Sequence, residues 1–83
     1  MEIKNFRKLP EDNPNFALFD VYIPALELTL RNFRLRRGKK GGWYINSANF
    51  KDGNEWVPYI AFSSEKFKDF SQKCHELLKE HMK

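Results

Sequence analysis

The densest chemistry in the sequence lies between residues 31 and 40, RNFRLRRGKK. This stretch holds Arg31, Arg34, Arg36, Arg37, Lys39 and Lys40 and no acid. Guanidinium and ammonium groups at this density neutralise phosphates, and aromatic rings set among them stack on bases. The chain has 15 basic and 11 acidic residues, for a net charge of +4. Six of the 15 fall in these ten positions, which leaves nine against all 11 acids elsewhere. The positive excess therefore belongs to one short segment. Such a localised field attracts a polyanion or an acidic protein surface. A basic tip also blunts a sheet edge against aggregation, a use that needs no partner.

The other reactive side chains make a weaker case. Cys74 and His75 are adjacent on an expected helix, where neighbours diverge by about 100°. A Cys–His nucleophile pair needs its side chains within hydrogen-bond reach. His81 lies six residues beyond His75, on another face. Asp52 and Glu55 flank a turn and can meet across it, but a metal or general-base site needs more groups than these two. The stretch GKKGG lacks the spacing of a phosphate-binding loop and leads into a strand rather than a helix. No enzymatic activity, cofactor or metal is expected.

The basic run must be positioned by a sheet. EIKNFRKL reads as a first strand anchored by Ile3 and Leu9, with Phe6 out of strict parity. PEDNPN, residues 10 to 15, is a turn cluster. FALFDVYI is a second strand, rich in aromatic and β-branched residues. Pro24 ends or bends it. In the third strand Leu26, Leu28 and Leu30 alternate on one face, and Phe33 and Leu35 resume one step out of phase. A bulge near Arg31 and Asn32 restores both groups to the core side. Gly38, Gly41 and Gly42 are expected to supply the positive φ of a tight loop. WYINSANF is a fourth strand, Asp52-Gly53 a hairpin turn, and EWVPYIAF a fifth strand with Pro58 at an edge. Ser63 or Ser64 then caps a helix, with Glu65 in its first turn and no capping-box partner. Phe67, Phe70, Cys74, Leu77, Leu78 and His81 form its apolar stripe.

The expected architecture is α+β. An antiparallel sheet of about five strands spans residues 2–62, and one C-terminal amphipathic helix, residues 64–81, packs on one face. Arg34 and Arg36 share strand parity and point away from the core holding Phe33 and Leu35. Whether Arg31 joins them depends on where the bulge falls. With Trp43 and Ile45 facing the core, Tyr44 points outward beside them. With Trp56 and Ile60 facing the helix, Tyr59 shares that outer face. Arg37, Lys39 and Lys40 occupy the tip. Arginines interleaved with tyrosines suit a single strand laid over the sheet, while a two-stranded basic ribbon also suits a DNA groove.

At 83 residues the chain is one domain, 1–83, and buries only about 60% of its unfolded surface. A sheet face that no helix covers, on a chain this small, suits a second subunit. The single cysteine rules out an intramolecular disulfide. No apolar run resembles a signal peptide or a membrane span. A cytoplasmic protein without membrane contact is expected.

With that organisation, the chain resembles the septation-regulator family named for stage V sporulation protein G, over roughly residues 1 to 78. MEIKNFRK is similar to the family's opening strand. FDVYIPALELTLRNFRLRRGKKGGWYINS follows its strand, bend, second strand, basic turn and aromatic-aliphatic strand. FKDGNEWVPYIAFSS resembles its Asp-Gly hairpin and the return strand into the helix. Where the family shows a Met/Phe-Pro-Ser-Arg/Lys segment, this chain reads NSANFK, keeping Ser47 and Lys51 as echoes without the proline. The resemblance implies a small dimeric DNA- or RNA-binding regulator on a curved antiparallel sheet, with no cofactor and no catalysis, and adds Lys51 to the candidate contacts. The alternative is an inhibitor or adaptor, for example a phage-encoded one, that docks the basic hairpin on an acidic protein partner.

Overall fold

Alternation of Ala17, Phe19 and Val21 puts three fully buried side chains on one face of a strand, and the molecule is built outward from that strand. The computed structural model describes residues 1–82. Strand β1 (Glu2–Lys8) and strand β3 (Leu28–Arg37) flank the central β2 (Ala17–Ile23), and β4 (Trp43–Asn46) closes the sheet. The order is β1-β2-β3-β4, antiparallel throughout. A second, two-stranded sheet pairs β5 (Asn49–Asp52) with β6 (Glu55–Pro58). The helix α1 (Ser64–Leu78) follows. The fold is α+β, as the pattern of strands then helix requires.

The core lies between α1 and the inner face of the main sheet. Phe70, Cys74 and Leu78 of the helix meet Phe19, Val21, Phe33, Leu35 and Ile45 of the strands. Aromatic rings chain through it, with centroids 5.8 Å apart for Phe19–Phe33, 5.3 Å for Phe33–Phe70 and 4.9 Å for Phe62–Phe70. Ser63 caps the helix, its hydroxyl accepting from the Lys66 amide at 3.3 Å. The helix ends at Leu78 rather than His81. The His81 and Met82 amides both donate back to the Leu78 carbonyl, which tightens the chain into turns. His81 leaves the apolar stripe and stacks on Phe6, centroids 5.0 Å apart.

Two bulges shape the sheet. The register slips between Phe19 and Val21 against β3, where Asn32 adopts φ 61°, so the expected bulge at Arg31–Asn32 is present. A second slip falls between Lys4 and Arg7 of β1, where Asn5 has φ 52°. Asparagine tolerates this left-handed backbone better than most residues. The second bulge also explains the odd parity of Phe6, which packs against the core.

Other sequence expectations are corrected. The fourth strand does not run through residues 43–50. The Ser47 hydroxyl donates to the Ala48 carbonyl at 3.1 Å, and that same carbonyl accepts from the Tyr59 amide at 2.9 Å. A local side-chain bond such as that of Ser47 competes with a ladder, while the Tyr59–Ala48 bond continues the pairing of β5 with β6 beyond Asn49 and Pro58. The chain turns out of the main sheet there and forms the separate β5–β6 hairpin. Trp56 does not face the helix; it is 69% exposed on that hairpin. Leu26 lies in a short 3-10 turn, Pro24–Leu26, and is exposed rather than aligned with Leu28 and Leu30. No described helix is long and apolar enough to cross a membrane.

Candidate nucleic-acid interface

Opposite the helix, the main sheet presents an open face. Residues paired across antiparallel strands share a face, so the register assigns its occupants. Lys4 lies opposite Asp20, Arg7 opposite Leu18, and Tyr22 opposite Thr29. Arg34 lies between Leu18 and Asn46, and Arg36 opposite Tyr44. The face thus carries cations from β1 and β3 with tyrosines from β2 and β4. Its strand acids are Glu2 and Asp20, and each is paired. Glu2 meets Lys4 at 3.4 Å, and Asp20 meets Arg31 at 3.5 Å.

Asp20 anchors the middle of this face. Its side chain is only 3% exposed, whereas that of Arg31 is 71% exposed. One oxygen accepts from the Asn32 amide at 3.0 Å and the other from the Asn5 side-chain amide at 2.8 Å. Arg7 completes the arrangement, donating to the Asn5 carbonyl at 2.6 Å and to the Asn32 side-chain oxygen. Burial pushes the Asp20 carboxyl up. The bonds from Asn5 and Asn32 and the charges of Arg7 and Arg31 outweigh it and hold the group below its usual value. One carboxylate therefore fixes both bulges, and through them the direction of Arg31 at the start of the basic run.

At the other end, the β3–β4 loop forms the tip. Gly38 donates to the Gly42 carbonyl at 2.6 Å, and Gly41, with φ +90°, donates to Gly38 at 3.0 Å. Of the three loop glycines expected to have positive φ, only Gly41 does; Gly38 and Gly42 do not. The Tyr44 ring lies on the Gly38 α-carbon, where any Cβ would collide with the ring. Tyr44 is thereby held beside the basic tip while remaining 59% exposed. Arg36, Lys39, Lys40, Tyr44 and Asn46, with Arg37, line an open depression of about 440 Å³. Arg37 is braced from the other side, its guanidinium carbon 5.0 Å from the Trp43 ring centroid. Nearer β1, Lys4, Asn5, Tyr22, Thr29 and Arg31 line a second depression of about 330 Å³.

Of the residues singled out in the sequence, Arg36, Arg37, Lys39, Lys40 and Tyr44 come together around one depression. Arg31 and Arg34 lie along the same face. Tyr59 and Lys51 do not join them. Tyr59 falls beyond the end of β6 and packs on Phe50, centroids 4.9 Å apart, and Lys51 pairs with Trp56 on the small hairpin. Lys4, Arg7 and Tyr22 were not singled out. Lys4 and Tyr22 follow from simple alternation about Ile3 and Val21, but Arg7 reaches this face only through the bulge at Asn5.

The remaining reactive groups are placed differently. Cys74 is fully buried in the core, and burial pushes its thiol up to about 12, so it stays protonated at neutral pH. Among the described residues, no group of three or more His, Cys, Asp and Glu side chains is arranged to hold a metal ion. Comparison with known proteins returns no matching family model, no matching curated protein and no matching solved structure.

Proposed function

We propose that this chain is a nucleic-acid-binding regulator that lays its open sheet face and basic tip against a phosphate backbone. The carrying observation is the convergence of Arg36, Arg37, Lys39 and Lys40 on one depression with Tyr44, whose ring is seated on Gly38. Solvation alone does not require an aromatic ring held at the centre of a cationic tip. Arg34 and Arg7 extend the positive field across the sheet, while Lys4 and Arg31 offset its two strand acids, Glu2 and Asp20. Neutralising these groups releases counterions from the nucleic acid, which supplies affinity and makes it salt-dependent.

The reading includes a homodimer in the reducing cytoplasm, in keeping with the resemblance to the septation regulators. Leu26 and Leu28, exposed beside the Pro24–Leu26 turn, are apolar surface that a second copy would cover. The test is an electrophoretic mobility shift with single-stranded DNA, duplex DNA and RNA at about 50 and 200 mM salt, a range over which phosphate-dominated binding weakens steeply. A shift that weakens with salt supports the reading. No shift on any probe, with one acidic protein co-purifying, would replace it with the inhibitor reading.

A further inference from the structure

The β5–β6 hairpin contains no buried residue, yet it carries Phe50, Trp56 and, just beyond it, Tyr59. Trp56 is the most exposed of the large aromatics and has no role in the core. It borders a depression of about 560 Å³ whose apolar walls include Pro58, Ile60, Phe62 and Phe67. Asn46, Ser47 and Asn49 add amide and hydroxyl groups to the same wall. Apolar walls with a few amide groups suit a flat heteroaromatic ring that stacks and forms hydrogen bonds at its edge. Asn46 also lines the basic depression of Arg36, Lys39, Lys40 and Tyr44. The two depressions thus share a wall at the end of β4.

We infer that Trp56 is a base-stacking platform for single-stranded nucleic acid, continuing the track that begins at Tyr44 and the basic tip. The inference rests on the nucleic-acid reading above and narrows it. A duplex keeps its bases stacked inside and presents only their edges in the grooves, whereas a single strand offers their faces. The phosphates of one segment lie on Arg36 and Lys40 while an adjoining base turns past Asn46 onto Trp56. Stacking on an indole requires no particular base, so affinity for the strand exceeds preference among sequences. The chemistry is common to DNA and RNA single strands.

The experiment measures binding of oligothymidylate, oligouridylate and duplex DNA, each of about 12 nucleotides or base pairs, to the wild type, Trp56→Ala and Arg36→Gln/Lys40→Gln. Thermal unfolding should show that Trp56→Ala folds, as expected for a side chain this exposed. Trp56→Ala should weaken single-strand binding about 5- to 150-fold, the range one stacked base supplies. Its duplex affinity and its salt slope should stay unchanged. The charge variant should lower the salt slope on every probe. A Trp43→Phe variant leaves Trp56 as the only indole, and its fluorescence should be quenched by the single strands and not by the duplex. A loss on only one of the two single strands supports the site and identifies which of the two nucleotides it stacks. Wild-type binding that Trp56→Ala leaves intact, or weakens equally on duplex and single strand, overturns this inference alone. Failure of the wild type to bind any probe overturns the nucleic-acid reading with it.

Discussion

The main sheet and the β5–β6 hairpin are made from similar residues and use them in opposite ways. In β2, β3 and β4 the apolar side chains alternate inward beneath α1, and the outward positions are mostly charged or polar. In β5 and β6 no position is buried, and Trp56 stands in solvent. An isolated two-stranded hairpin is marginal in water. The apolar groups of the sheet form the core, whereas on the hairpin Phe50 packs only on Tyr59 and Trp56 is left to solvent.

Paired substitutions sharpen that contrast. Phe33→Ala removes a ring that touches both Phe19 and Phe70 and should cost about 3–5 kcal/mol in chemical denaturation. Trp56→Ala should stay within about 0.5 kcal/mol. Equal losses would mean that the hairpin belongs to the core.

Asp20 comes next in size. Asp20→Asn replaces a charged acceptor of several bonds and should cost about 1.5–3 kcal/mol. Because folding lowers the carboxyl below its unfolded value of about 3.9, its contribution is present above that pH. It is lost as pH falls through the still lower folded value. Denaturation from pH 7 to 2 should therefore show the gap between wild type and variant closing at the acid end; a constant gap would contradict the assignment.

On the open face, Arg36→Gln/Lys40→Gln should leave the fold intact and reduce the salt slope of nucleic-acid binding by about 1.4 on single strands and about 1.8 on duplex DNA, at roughly 0.7 and 0.9 per lost phosphate contact. A small effect is also expected for Gly38→Ala. The added methyl must displace the exposed Tyr44 ring rather than backbone, so stability should change by less than about 1 kcal/mol. The aromatic resonances of Tyr44 should move in an NMR spectrum. An unchanged Tyr44 would mean that its ring is not seated on the glycine in solution.

Much of the sheet was legible because burial writes itself as alternation. The slip between Leu30 and Phe33 gave away the bulge at Asn32. The same signal, Phe6 out of step with Ile3, was present in β1 and marks the bulge at Asn5. The basic tip was legible as charge, and Tyr44 as its outward neighbour. Tyr59 and Trp56 fall elsewhere than parity places them, because parity counted along the chain assumes an unbroken sheet and this one ends at Asn46. Lys51, named from the family resemblance, lies on the hairpin rather than on the main sheet. Arg7 and Asp20 stayed hidden because their roles depend on pairing between distant strands, which alternation within one strand does not report.

Asn5 and Asn32 belong to strands that never pair with each other, since β2 runs between them. Asp20 and Arg7 nevertheless bind both. The two bends are therefore thermodynamically coupled. In a double-mutant cycle, Asn5→Ala and Asn32→Ala should depart from additivity by more than about 0.5 kcal/mol. A disturbance at the β1 edge then reaches β3 as a change in strand direction, and β3 is the lever arm that carries the basic tip.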